Sequence, residues 1–158
     1  MTLEAKPEKL PEFVKDLTVE DIKAIREMYG RVNEIDPEAF SIPIGEGAEW
    51  FASKAGDQIV GICEVSFPID EDINLAIIGG IFVEPEYRDH KVGEVLVENV
   101  IRQLKRKKSP TIQRVRIFIP STRKSTENLA KNLGFKLDHQ TTDGALFELD
   151  LREEEKVD

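Results

Sequence analysis

The stretch 76–94 constrains the fold most. Residues 76–83, Ala-Ile-Ile-Gly-Gly-Ile-Phe-Val, form an unbroken apolar run, the pattern of a strand buried on both faces. A polar loop from Glu84 to Lys91 follows. Beyond it Val92, Leu96, Val100, Ile101 and Leu104 recur at helical spacing, which predicts a long amphipathic helix. A doubly buried strand that feeds a helix belongs in a layered α/β architecture. The helix N-terminus offers unpaired N–H groups and the positive end of a dipole, an arrangement that favours anions. Arg88 and Lys91 would add charge for a phosphate. Gly93, with no Cβ, would let backbone and phosphate approach. By chemistry alone a plain strand–loop–helix connection with a solvated basic loop accounts for these residues equally well.

The rest of the chain supplies a mixed sheet with helices packed on it. Residues 1–12 read as a charged arm and 13–17 as a first strand. Thr18-Val-Glu-Asp21 resembles a capping box with Asp in place of Glu. Ile22, Ile25, Met28, Tyr29 and Val32 then mark a helix expected to end near Gly30. A helical turn over 36–40 and a loop over 41–47 with Pro43, Gly45 and Gly47 come next. Strands 49–55 and 58–67 turn at Gly56-Asp57, and 68–74 is a polar connection. Gly79-Gly80 inside the apolar run signals a bulge or a close backbone approach. Val115, Ile117 and Ile119 alternate as a strand. A helix over 125–133 closes at Gly134. Strands 135–139 and 145–151 complete a single domain spanning 13–151, with 152–158 as a charged tail.

Composition narrows the function classes. The 158 residues suffice for one domain with a real core. No window approaches the ~18 apolar residues of a bilayer span, and residues 1–12 lack the apolar segment of a secretory signal. Cys63 is the single cysteine, so an internal disulfide or cysteine-rich metal site is excluded and a reducing cytoplasm is expected. A net charge of −9 argues against non-specific nucleic-acid binding and favours cationic partners such as amines or basic peptides.

Val83-x-Pro85-x-Tyr87-Arg88 followed by Gly93 resembles the acyl-CoA pyrophosphate loop of GCN5-related N-acetyltransferases (GNAT). That loop reads Gln/Arg-x-x-Gly-x-Gly/Ala after V-x-P-x-Y. Asn128-Leu-Ala-Lys-Asn-Leu-Gly-Phe135 resembles the helix ending in L-G-F in the same family. With the element order, the resemblance covers nearly the whole chain. It implies a mixed, mostly antiparallel central sheet flanked by helices and splayed between the fourth and fifth strands. It also implies acetyl-CoA as acyl donor, no metal, and direct attack by a primary amine on the thioester. Backbone groups near Phe82 and Val83 would bind the pantetheine arm, and an N–H near Val83 would polarise the thioester carbonyl. Arg88, Asp89, His90, Lys91, Val92 and Gly93 would hold the pyrophosphate, with Asn128 nearby. The acceptor would be a small-molecule or protein amine. Neither nucleic acid nor membrane is expected as a partner, and relatives often form homodimers.

Several positions depart from the family pattern. Lys91 replaces the first loop glycine, so its side chain either pairs with a phosphate or crowds the site. Asp89 places negative charge beside a dianion. Ala130 occupies the position of the usual tyrosine general acid, and Arg123 that of an asparagine upstream of it. The run 76–83 carries no carboxylate, leaving Glu64 and Glu84 as candidate bases. A thiol leaving group of pKa about 8.5 departs as thiolate without an acid. The alternatives are a non-catalytic acyl-CoA-binding or regulatory module, and an interaction domain on the same fold. Elsewhere the plainer readings hold: Cys63 as a small buried hydrophobe, residues 105–108 as a basic helix end, and Trp50 and Phe51 as packing.

Overall fold

The computed structural model describes residues 11–35, 48–68, 74–88, 90–107 and 111–154. Its elements are β1 (Glu12–Phe13), α1 (Val19–Ile35), β2 (Glu49–Ala55), β3 (Gln58–Ser66), β4 (Leu75–Val83), α2 (Val92–Arg106), β5 (Arg114–Pro120), α3 (Lys124–Asn132), β6 (Lys136–Gln140), β7 (Gly144–Asp150) and α4 (Leu151–Glu154). A 3₁₀ turn, Pro85–Tyr87, links β4 to α2. The expected turn at 36–40, the loop at 41–47 and most of the connection at 68–74 lie outside the described residues, as do 1–10 of the arm and 155–158 of the tail.

All seven strands form one sheet in the order β1-β2-β3-β4-β5-β7-β6. Neighbours pair antiparallel except β4 and β5, which are parallel. One face packs on α2 and α3 through Cys63, Val65, Ala76, Ile78, Leu96, Val97 and Val100 among others. The other packs on α1 through Ile25, Met28, Val32, Ala52 and Ile62. The Gly56-Asp57 hairpin falls between β2 and β3 as the sequence predicts.

Local chemistry sets the element ends. The Thr18 hydroxyl accepts the Asp21 N–H at 3.1 Å, while the Asp21 carboxylate accepts the Thr18 N–H at 3.0 Å. This reciprocal cap starts α1 with Asp in the usual Glu role. The helix does not stop at Gly30 but runs on to Ile35. Burial of Val32 at 0% exposure outweighs the ~1 kcal/mol a helical glycine costs. The first strand is shorter than the expected 13–17. Phe13 stacks on Phe51 at 6.2 Å and the Val14 N–H reaches the Ala52 carbonyl, after which the chain bends into the cap. Gly134 ends α3 at φ +94. The tail begins as one more helical turn, anchored by buried Leu151, whose N–H donates to the Gln113 carbonyl at 2.9 Å.

Candidate active site

The centre of the sheet is opened by a bulge. Glu64 pairs with Gly80 while Val65 pairs with Ile78, so Gly79 is the extra residue on β4. At that level β4 also parts from β5. The parallel register covers only Leu75–Ile78 against Arg114–Ile117, yet β4 continues to Val83 and β5 to Pro120. A bulge bends its strand and sharpens the twist, which turns the far half of β4 away. This is the splay between the fourth and fifth strands.

Ladder alternation fixes which backbone groups face that gap. The Glu84 N–H donates to the Val60 carbonyl at 2.8 Å, and Phe82 is the register partner of Ile62. Residues 80, 82 and 84 therefore turn their peptide groups to β3, and Ile81 and Val83 turn theirs to the side that β5 has left. The Phe82 ring packs against the α1-side core.

The loop after β4 folds back on it. Arg88 Nε donates to the Val83 carbonyl at 2.8 Å, and the guanidinium lies 5.2 Å from the centre of the Phe82 ring. Lys91 caps α2 in the left-handed region, φ 61 and ψ 21, a conformation glycine takes without strain. Its carbonyl accepts the Val95 N–H at 3.0 Å. His90 is half-buried, Val92 buried and Asn128 exposed, and Asp89 lies outside the described residues. Gly93 faces protein: a Cβ there would stand 3.3 Å from Leu129 Cδ1 and 3.5 Å from Val83 Cγ2. The glycine thus seats the first turn of α2 against β4 and α3, a packing role beyond the phosphate approach read from sequence. Ala130 is buried in the α2-side core.

The two candidate carboxylates differ sharply. Glu84 is 9% exposed and ion-paired with Arg31 of α1 at 3.1 Å. Glu64 is fully buried, and among the described residues neither of its carboxyl oxygens has a hydrogen-bond partner. Desolvation raises its pKa to about 7. Glu64 belongs to the α1 side, with Trp50 as register partner on β2 and Gly80 on β4. Tyr29 of α1 meets Trp50 edge-on at 5.4 Å, and its own pKa is raised by burial and by the Glu64 charge. Burial, and secondarily Glu64, also pushes the Cys63 thiol up, so Cys63 is an inert core group. Sequence reading took Tyr29 and Trp50 as packing. Only the register, which no local pattern carries, puts Trp50 beside Glu64, and the packing of α1 on the sheet brings Tyr29 to Trp50.

The sequence matches the family model described as "Acetyltransferase (GNAT) family" over residues 18–135. The chain belongs to that family. Solved GNAT structures share the fold. The ribosomal-protein-S18-alanine N-acetyltransferase from Escherichia coli superposes with a TM-score of 0.65 at 16% identity, covering 90% of this chain and 94% of that one. The PaiA N-acetyltransferase from Thermoplasma acidophilum, solved in complex with coenzyme A, gives 0.64 at 15% identity, covering 89% and 99%. An N-acetyltransferase from Staphylococcus aureus Mu50 gives 0.71 at 16%, covering 90% and 99%. No curated protein matches the chain in sequence. Among the described residues no helix of this GNAT domain is long and apolar enough to cross a membrane.

Proposed function

We propose that this GNAT domain transfers an acetyl group from acetyl-CoA to a primary amine, with Glu64 as the proton acceptor. The observation that carries the reading is a buried, unpartnered carboxyl whose pKa is raised to about 7, one strand from the gap between β4 and β5. A base of that pKa is matched to neutral solution. Gly80 stands between Glu64 and the gap and interposes no side chain. Glu84 is the weaker choice, because its carboxylate is already paired with Arg31.

In this reading the coenzyme lies along the peptide edge of Ile81 and Val83. Its pyrophosphate rests at the α2 N-terminus among Arg88, His90, Lys91, Val92 and Gly93, with Asn128 nearby. The backbone at Ile81 and Val83 supplies donors to the thioester carbonyl. Glu64 takes one proton from the arriving ammonium. The freed amine attacks the thioester carbon, a C–N bond forms, and the C–S bond breaks. The second nitrogen proton leaves with the coenzyme thiolate or to water. With Ala130 in the acid's place, thiolate departure relies on the thiol's low pKa. The domain spans 13–151 and acts in the cytoplasm on a small-molecule or protein amine, alone or as a homodimer.

Ala130 also favours a second reading, a non-catalytic acyl-CoA-binding module. Calorimetric titration with acetyl-CoA, on the intact protein and on Arg88→Ala and Lys91→Glu, tests the coenzyme site. Micromolar binding, about −8 kcal/mol, weakened in both variants supports it. Release of coenzyme A thiol in an amine panel then separates the readings. Binding without turnover for any amine leaves the module, and absence of binding removes both.

A further inference from the structure

Glu64 is buried at 0% exposure, and among the described residues its two oxygens have no hydrogen-bond partner. A buried carboxyl without a partner is costly and calls for an explanation. The neighbouring cations on this side of the sheet do not provide one. Arg31 of α1 is bound to Glu84 at 3.1 Å, Lys54 of β2 to Asp21 at 3.0 Å, and Arg88, over the Phe82 ring, to the Val83 carbonyl at 2.8 Å. Three aromatic side chains share Glu64's face of the sheet with the aliphatic core. Trp50 is its cross-strand neighbour, Phe82 lies diagonally beyond Gly80, and Tyr29 reaches Trp50 edge-on from α1. All three rings are half-buried, so each combines packing with access from outside.

We infer that this face binds the ammonium end of an unbranched aminoalkyl chain, with Glu64 as counter-ion and Trp50, Tyr29 and Phe82 lining the methylene stem. The inference rests on the acyl-transfer reading and names its acceptor. Ring faces attract a cation and pack against methylenes, and the carboxylate supplies the opposite charge. A peptide N-terminus would carry a substituted α-carbon and a peptide group into the same apolar surroundings, where those polar atoms would lack partners. Gly80 leaves the way open from Glu64 to the gap. The aminoalkyl group is found both in free diamines and in lysine side chains.

Trp50 is the single tryptophan of the chain, so its fluorescence reports on the site directly. The intact protein is titrated with 1,5-diaminopentane, with Nα-acetyl-lysine amide and with alanine amide, while acetyl-CoA binding is measured by calorimetry on the same sample. A saturable change with the first or second compound is expected, with alanine amide weaker by at least about tenfold. The tighter of the first two identifies the source of the aminoalkyl group. Glu64→Gln is expected to weaken the response at least about tenfold with acetyl-CoA affinity unchanged. Tyr29→Leu is expected to weaken it about threefold. Alanine amide binding as tightly, an undiminished response in Glu64→Gln, or no saturable response in a sample that binds acetyl-CoA overturns the inference. Failure of acetyl-CoA binding beside a Glu64-dependent amine response would overturn the acyl-transfer reading alone.

Discussion

Replacing Glu64 by Gln should move stability and activity in opposite directions. The carboxyl has an ordinary pKa near 4.5 and a folded value of about 7. A carboxyl whose pKa rises on folding costs nothing below its unfolded value, where both states are protonated. As pH rises toward the folded value, the unfolded chain has already lost the proton that the folded chain keeps, so stability falls with pH. Linkage puts the loss at about 1 kcal/mol at pH 5 and about 3 kcal/mol at pH 8. Gln keeps the shape without the charge and escapes this cost, though its unpartnered amide keeps a smaller, pH-independent one. Urea unfolding of both proteins at pH 5 and pH 8 should show the variant gaining about 2 kcal/mol relative to wild type across that interval. In thermal melts the gain corresponds to roughly 4–8 °C for a domain of this size. Turnover with the best amine should meanwhile fall ~10²–10⁴-fold. A stability difference independent of pH would refute the argument, since it would mean that Glu64 is solvated or paired in the folded chain. Gained stability with full turnover would leave the burial intact and remove Glu64 from the chemistry.

In wild type, kcat/KM should rise with pH through about 7 as Glu64 ionises, and a pH-rate profile of Glu64→Gln should lack that limb. Gly144→Ala should cost about 3 kcal/mol or more, because the new Cβ would lie 2.3 Å from the Ile119 carbonyl oxygen and 2.9 Å from Pro120 Cα; thermal melting reads it. Lys91→Gly should stabilise by up to about 1 kcal/mol, as relief of the left-handed strain at φ 61 exceeds the entropy a glycine loses; urea unfolding checks it. Thr18→Ala should cost about 1 kcal/mol in the same assay, since it removes the acceptor of the Asp21 N–H.

What the sequence made legible was what neighbouring residues decide among themselves. The Thr18–Asp21 cap, the Gly56-Asp57 turn, the Gly134 stop and the run from β4 into α2 all depend on contacts within a few positions, and each appears where its pattern lies. The extension of α1 past Gly30 escaped local reading because burial of Val32 against the sheet decides it. The same limit applied to the site. Glu64 and Glu84 were equivalent as letters. Arg31, 53 positions from Glu84, separates them by pairing with one, and burial beside Trp50 isolates the other. Gly93 likewise read as a loop glycine, while its neighbours Leu129 and Val83 come from α3 and β4.

The paired glycines of β4 tie fold to chemistry. Gly79 is the bulge residue, and β4 leaves β5 one residue before it, after Ile78. Without the bulge, the side-chain alternation of β4 beyond it would shift by one position. Phe82 would then face α2, and Ile81 would take the α1 side beside Glu64. With the bulge, Ile81 and Val83 pack toward Gly93 and α2, their peptide groups edge the gap, and Gly80 stands opposite Glu64. A side chain at Gly80 would lie on the α1 face between the carboxyl and the gap. One inserted residue therefore opens the sheet, sets the register that buries Glu64, and places the residue without a side chain between them. In the proposed mechanism, the carboxylate that β4 itself lacks comes from β3, across the strand at Gly80.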